Sequence, residues 1–117
     1  MTGIGGVFFR ARAPEALQQW YAEHLGVPVV DDHVVFEDAN ATYVWAPFRE
    51  DTDYWPSEKQ AMVNFTVSDL DAMLAQLRDA GVEVEERTEL MDGIGRFGWA
   101  VDPEGNRFEL WEPVPRD

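Results

Sequence analysis

The sequence predicts an α+β fold built from two copies of one βαβββ unit. Three observations lead there: a strand–helix–three-strand order that occurs twice, apolar positions that recur at one offset, and a matching helix-closing glycine in each half. The offset is 56: Val7, Phe9, Leu17 and Tyr21 return as Val63, Phe65, Met73 and Leu77. After a slip of one residue, Gly26-Val27-x-Val29 returns as Gly81-Val82-x-Val84. Apolar matches alone are cheap, because any two βα units share them; the repeated glycines, prolines and tryptophans are harder to obtain by chance.

The elements follow in order. Ile4 to Ala11 carries Val7, Phe8 and Phe9 and reads as a strand. Pro14 suits a first helical position. Leu17, Trp20, Tyr21, His24 and Leu25 then recur at helical spacing, which places Trp20 in the core, and Gly26 supplies a left-handed stop. Val27–Val30, His33–Glu37 and Thr42–Ala46 read as three short strands, with turns at Asp31-Asp32 and Asp38-Ala39-Asn40. Phe48 to Glu58 has no periodicity and reads as a loop.

The second copy opens with a strand, Met62 to Val67. Asp69 is a side-chain N-cap, and Leu70, Met73, Leu74 and Leu77 form a helical stripe ending at Ala80-Gly81. Val82–Arg87, Gly95–Val101 and Arg107–Trp111 read as strands, the last two joined by a tight reversal at Asp102-Pro103-Glu104-Gly105-Asn106. Repeat one thus runs over 3–47, the loop over 48–60 and repeat two over 61–113, within one domain, 1–117. That length suits a single core, which buries roughly 65% of the unfolded surface.

Composition removes whole classes of function. With no cysteine, disulfides, thiolate zinc sites and cysteine nucleophiles are excluded, and a reducing compartment fits. No segment approaches the apolar length of a spanning helix, and no signal pattern opens the chain, so a cytoplasmic location is expected. A formal charge of −14 disfavours nucleic acid and anionic membrane as partners; it favours a cationic small molecule weakly, since acidic surfaces also serve solubility. Gly93-Ile94-Gly95 lacks the flanking strand and helix of a phosphate loop and reads as a turn, and no Ser-His-Asp set is evident.

Two segments carry a family resemblance. Leu17-Gln18-Gln19-Trp20-Tyr21-Ala22-Glu23-His24-Leu25-Gly26 resembles the first helix of the vicinal oxygen chelate family, the glyoxalase, bleomycin-resistance and extradiol-dioxygenase proteins. Asp102-Pro103-Glu104-Gly105-Asn106-Arg107-Phe108-Glu109-Leu110 is similar to that family's final hairpin. Together with Val67-Ser68-Asp69-Leu70-Asp71, the resemblance covers nearly the whole chain. It implies that the two units curl into a half-open cup, with one inward residue from the first and last strand of each unit converging on a metal. Metalloenzyme members use histidine, glutamate or glutamine there. Aligned through the helices and the Tyr43-Val44-Trp45-Ala46-Pro47 and Glu109-Leu110-Trp111-Glu112-Pro113 motifs, those positions hold Gly6, Met62, Tyr43 and Glu109. Only glutamate is an ordinary ligand for a hard or borderline divalent ion, so no metal and no cofactor are expected.

The remaining residues are weighed against plain structural roles. Glu109 alternates with Phe108 and Leu110, so it points away from them. Buried, it could act as acid, base or acceptor, or be a retained carboxylate satisfied by Arg or Tyr. Trp45, Trp99 and Trp111 lie on strands and serve a core, a dimer interface or a ligand wall. Tyr54 and Trp55, in the loop, lean toward a binding rim. His24 and His33 read as packed or surface rings. The leading expectation is a metal-free protein binding a small cationic or aromatic ligand through Tyr43, Trp45, Tyr54, Trp55, Met62, Trp99 and Glu109. The alternatives are an isomerase, lyase or dioxygenase-type enzyme using Glu109 as acid/base or lone metal ligand, and a protein-interaction module. Homodimerisation is expected by family analogy, because half-open sheets leave edges to cover.

Overall fold

The computed structural model describes residues 1–30, 33–37 and 41–115, so the two predicted aspartate turns lie outside the described residues. The elements run β1 (Gly3–Ala11), α1 (Pro14–Leu25), β2 (Val29–Val30), β3 (His33–Glu37), β4 (Thr42–Arg49), β5 (Ala61–Thr66) and α2 (Leu70–Asp79). They continue through β6 (Glu83–Val84), β7 (Glu89–Met91), β8 (Gly95–Val101) and β9 (Arg107–Pro113). The repeated βαβββ order is present with two differences in the second unit: the strand expected over Val82–Arg87 is shortened to β6, and β7 is a short extra strand after it. The chain clusters into two compact units, Gly5–Met62 and Val63–Asp117 joined by Met1–Ile4.

In the Gly5–Met62 unit the strand order is β2-β3-β4-β1, antiparallel except for the parallel β4/β1 pair. A parallel pair requires a crossover, and α1 opens it. Pro14 starts α1, and Gly26 closes it at φ 71°, its N–H donating to Ala22 O. Tyr21 meets Trp45 edge-on at 4.8 Å, and Trp45 lies 4.9 Å from Phe9, so α1 covers the face carrying those two strand residues.

Trp20 corrects the sequence reading: it is 51% exposed. The buried positions of α1 are Pro14 and Gln18, with Leu17 and Tyr21 half-buried beside them. Trp20 and His24 form the next row around the helix and contact each other outside, their rings tilted by 46° with centroids 4.6 Å apart. A stripe of aromatic letters was legible; its rotation about the helix axis was not.

In the other unit the order is β5-β9-β8-β6, with β7 also paired to β8. β5 and β9 are parallel, and β8 is antiparallel to its neighbours. Asp69 accepts from Ala72 N at 3.0 Å, and Glu112 Oε1 takes the Leu70 N–H at 2.8 Å, so two of the helix's unpaired N–H groups are satisfied. Beneath α2, Leu70 and Leu74 pack with Val67 and Leu110, flanked by Phe65, Met73, Leu77, Val84 and Phe108. The β8–β9 reversal is held by Asp102, whose Oδ1 accepts from the N–H groups of Glu104 and Asn106, each at 2.9 Å. Gly105 takes the left-handed φ of 82° that the turn requires.

Candidate ligand site

Phe108 and Leu110 belong to the core under α2, so strand alternation puts Glu109 on the opposite face of β9. There it is 2% exposed. Register makes it the middle of a row across three strands, with Asn64 of β5 on one side and Trp99 of β8 on the other. Asn64 Nδ2 donates to Oε1 at 2.6 Å, and Trp99 Nε1 donates to Oε2 at 2.9 Å. Both carboxylate oxygens are thereby engaged by neutral donors. The other end of the amide differs: Asn64 Oδ1 is buried and accepts no hydrogen bond. Leaving such an acceptor unpaired costs about 1–3 kcal/mol.

Trp99 is fully buried, and two guanidinium groups lie over its ring, Arg87 at 4.3 Å and Arg107 at 5.0 Å. Glu85 ties these cations together. It accepts from Arg107 Nε at 2.7 Å and Nη2 at 3.1 Å, and lies 3.7 Å from Arg87 Nε. The Arg107 hydrogen bond, chiefly, holds the Glu85 carboxyl below the usual glutamate range. Phe97 and Trp111, on the same face, stack at 6.0 Å.

The Gly5–Met62 unit places its predicted residues differently. Trp45 packs under α1, and Tyr43, two positions earlier on β4, shares that face and is partly exposed. The motif alignment that set Tyr43 against Glu109 is therefore out of step with the sheet. In register, Phe8 faces Ala46, as Asn64, 56 positions on, faces Glu109. A one-residue slip exchanges the two faces of a strand, which is how similar letters came to point oppositely. The face away from α1 carries Phe8, Arg10 and Phe48, and Tyr54 and Trp55 join Phe48 in one ring cluster. Trp55 is buried, and its indole N–H donates to Lys59 O.

Arg10 organises that loop. Its Nε donates to Lys59 O, Nη1 to Glu50 O and Thr52 O, and Nη2 to Trp55 O and Pro56 O, all between 2.9 and 3.0 Å. All five guanidinium N–H donors are thus used on backbone carbonyls. Nothing in the sequence pattern marks Arg10 for this. Asn64 was legible by alternation, two positions after Met62 on the same strand face.

The positions that would chelate a metal do not fit one. A Cβ at Gly6 would stand 2.6 Å from Val44 O and 3.2 Å from Val44 Cβ, so the backbone itself closes that position to a ligand side chain. Met62 offers a buried soft thioether, and neither Tyr43 nor Ala46 is a ready donor. Among the described residues no group of three or more His, Cys, Asp or Glu is placed to hold an ion.

A family model described as "Glyoxalase-like domain" matches residues 6–111. Methylmalonyl-CoA epimerase from Mycobacterium tuberculosis superposes with a TM-score of 0.69 at 24% identity, covering 97% of this chain and 89% of that one. A Streptomyces coelicolor methylmalonyl-CoA epimerase variant, in complex with 2-nitronate-propionyl-CoA, gives 0.76 at 18% identity, covering 98% and 99%. A Legionella pneumophila structure described as an NAD-dependent benzaldehyde dehydrogenase gives 0.64 at 16%, covering 93% and 98%. No curated protein matches the chain significantly. Identities this low establish a shared fold, and a fold of this kind hosts unrelated activities.

Proposed function

We propose that the chain, which belongs to the glyoxalase-like domain family of the vicinal oxygen chelate superfamily and among its described residues shows no group of three or more His, Cys, Asp or Glu placed to hold an ion, binds a small molecule without a metal. The ligand is a flat, hydrogen-bond-donating one, cationic in preference; the Asn64–Glu109–Trp99 row is closed to solvent in the free chain, and the ligand reaches it by displacing the side chains that cover it. One observation carries this reading: the unpaired, buried Oδ1 of Asn64 beside a buried carboxylate. An acceptor left bare at that cost is satisfied when a bound N–H or O–H reaches it, and the adjacent carboxylate favours a positive donor. Glu109 holds Asn64 in place while Trp99 fixes Glu109 from the other side. A net charge of −14 raises the local concentration of a cation. A cytoplasmic homodimer completes the reading; its mass is checked by light scattering.

Benzamidinium, planar and rich in N–H donors, is the probe. Calorimetry should show saturable binding to the purified chain, weakened about 10- to 100-fold by Asn64→Leu. Unchanged affinity in that variant sinks the proposal.

A second reading is favoured by the epimerase neighbours: Glu109 as the acid or base of an isomerase-type reaction. The epimerases it resembles are named for methylmalonyl-CoA, which is therefore the substrate to try. Since both Glu109 oxygens already accept hydrogen bonds, the binding role is preferred here. Turnover of methylmalonyl-CoA that Glu109→Gln abolishes would reverse that preference.

A further inference from the structure

We propose that the uncovered margin of the α1-bearing face, in the Gly5–Met62 unit, docks a basic amphipathic segment of a partner protein. The cross-strand pairs Val29↔Val34, Val34↔Trp45 and Phe36↔Tyr43 put five side-chain positions on one face of β2, β3 and β4. It is the face α1 covers, since Trp45 meets Tyr21. The cover is partial. Val34 is fully buried, whereas Val29, Phe36 and Tyr43 are 44%, 41% and 39% exposed. On α1, Trp20 and Leu25 are also exposed, Trp20 with the tilted ring of His24 against it. Five large apolar side chains left open within one helix and three adjacent strands exceed the scattered exposure of an ordinary surface.

Charge selects the occupant. From residue 13 to residue 48 the chain has six carboxylates, Glu15, Glu23, Asp31, Asp32, Glu37 and Asp38, and no lysine or arginine. Glu15, Glu23 and Glu37 are exposed. All nine basic residues lie outside that stretch, with Arg12 and Arg49 at its borders. A second copy of this chain would bring the same carboxylates against these and be repelled. A partner presenting leucine or aromatic anchors flanked by Lys or Arg meets both features at once, through apolar burial at the centre and complementary charge at the rim.

The test uses a fluorescent amphipathic peptide of Leu and Lys, a scrambled peptide of the same composition, and fluorescence anisotropy with the full chain. The ordered peptide should bind more tightly than the scrambled one, and added salt should weaken it. The double variant Trp20→Ser, Phe36→Ser should lose about tenfold or more in affinity, as removal of two apolar anchors does. The triple variant Glu15→Gln, Glu23→Gln, Glu37→Gln should weaken binding at low salt and lose much of the salt dependence. If the double variant misfolds by circular dichroism, Leu25→Ser, at 68% exposure, replaces it. Equal binding of ordered and scrambled peptides, or unchanged affinity in the patch variants, overturns the proposal. So does a fall in the oligomeric mass of the chain on mutating the patch, which would assign the face to a second copy. Benzamidinium binding should be unchanged throughout, so this docking can fail while the small-molecule reading stands, and the reverse.

Discussion

Arg10 and Asn64 show at the residue scale how differently two polar groups can be used. Arg10 is saturated: five N–H donors meet five backbone carbonyls of the 50–59 segment. Removing it leaves several acceptors to find water, and the ring of Trp55 loses the guanidinium lying 4.9 Å above it. Arg10→Ala should cost about 3 kcal/mol of stability in urea denaturation, with Arg10→Lys recovering little because an ammonium has three donors and no planar fork. A loss under about 0.5 kcal/mol, the scale of an ordinary surface substitution, would show that the loop holds its shape without the clamp. Glu109 was legible, since its turn motif fixes where the strand begins and alternation then fixes its face. Asn64 was within reach of the same alternation. Arg10 was not legible, because its partners are main-chain atoms brought together only by the folded loop.

Among the elements, the two helices and, β7 apart, the sequence of elements along the chain could be read because periodicity, caps and turn residues are local signals. Asp69 and Gly26 perform the capping their letters suggest. Register was harder. Tyr43-Val44-Trp45-Ala46-Pro47 resembles Glu109-Leu110-Trp111-Glu112-Pro113 in letters, yet Trp45 packs under α1 while Trp111 lies on the face away from the α2 core. Hydrophobic letters cannot distinguish two faces that are both apolar. The link from Glu85, just past β6, to Arg107 at the start of β9 gives a prediction at this scale. Arg107 lowers the Glu85 pKa, so the ion pair adds stability above the unfolded glutamate range and loses it as pH falls through the lowered folded value. Glu85 is partly exposed, and solvent screening keeps the contribution under about 1 kcal/mol. The stability gap between the wild-type chain and Glu85→Gln should therefore be largest near neutral pH and shrink as pH falls below the glutamate range in chemical denaturation. A gap that widens on acidification would contradict the pairing.

For the whole molecule, the same sequence features that reveal the family also point to the positions where the family resemblance would place metal ligands. The repeat and the final hairpin identify the glyoxalase-like fold, and Gly6, Met62 and the β4 residues then fail to supply ligands beside Glu109. Gly6 is the strongest of these, because its neighbour Val44 occupies the volume a side chain would need. Among the described residues no helix is long and apolar enough to cross a membrane. The acidic excess, legible in the composition, supports both proposals, a cationic ligand for the Asn64–Glu109–Trp99 row and a basic segment for the open margin of the α1 face. On the proposed reading, the fold binds its ligand without a metal ion. Elemental analysis of the chain purified without chelators tests it most directly. Divalent metal far below one ion per chain, with benzamidinium binding undiminished, is the predicted result; one tightly held ion per chain, required for binding, would contradict it.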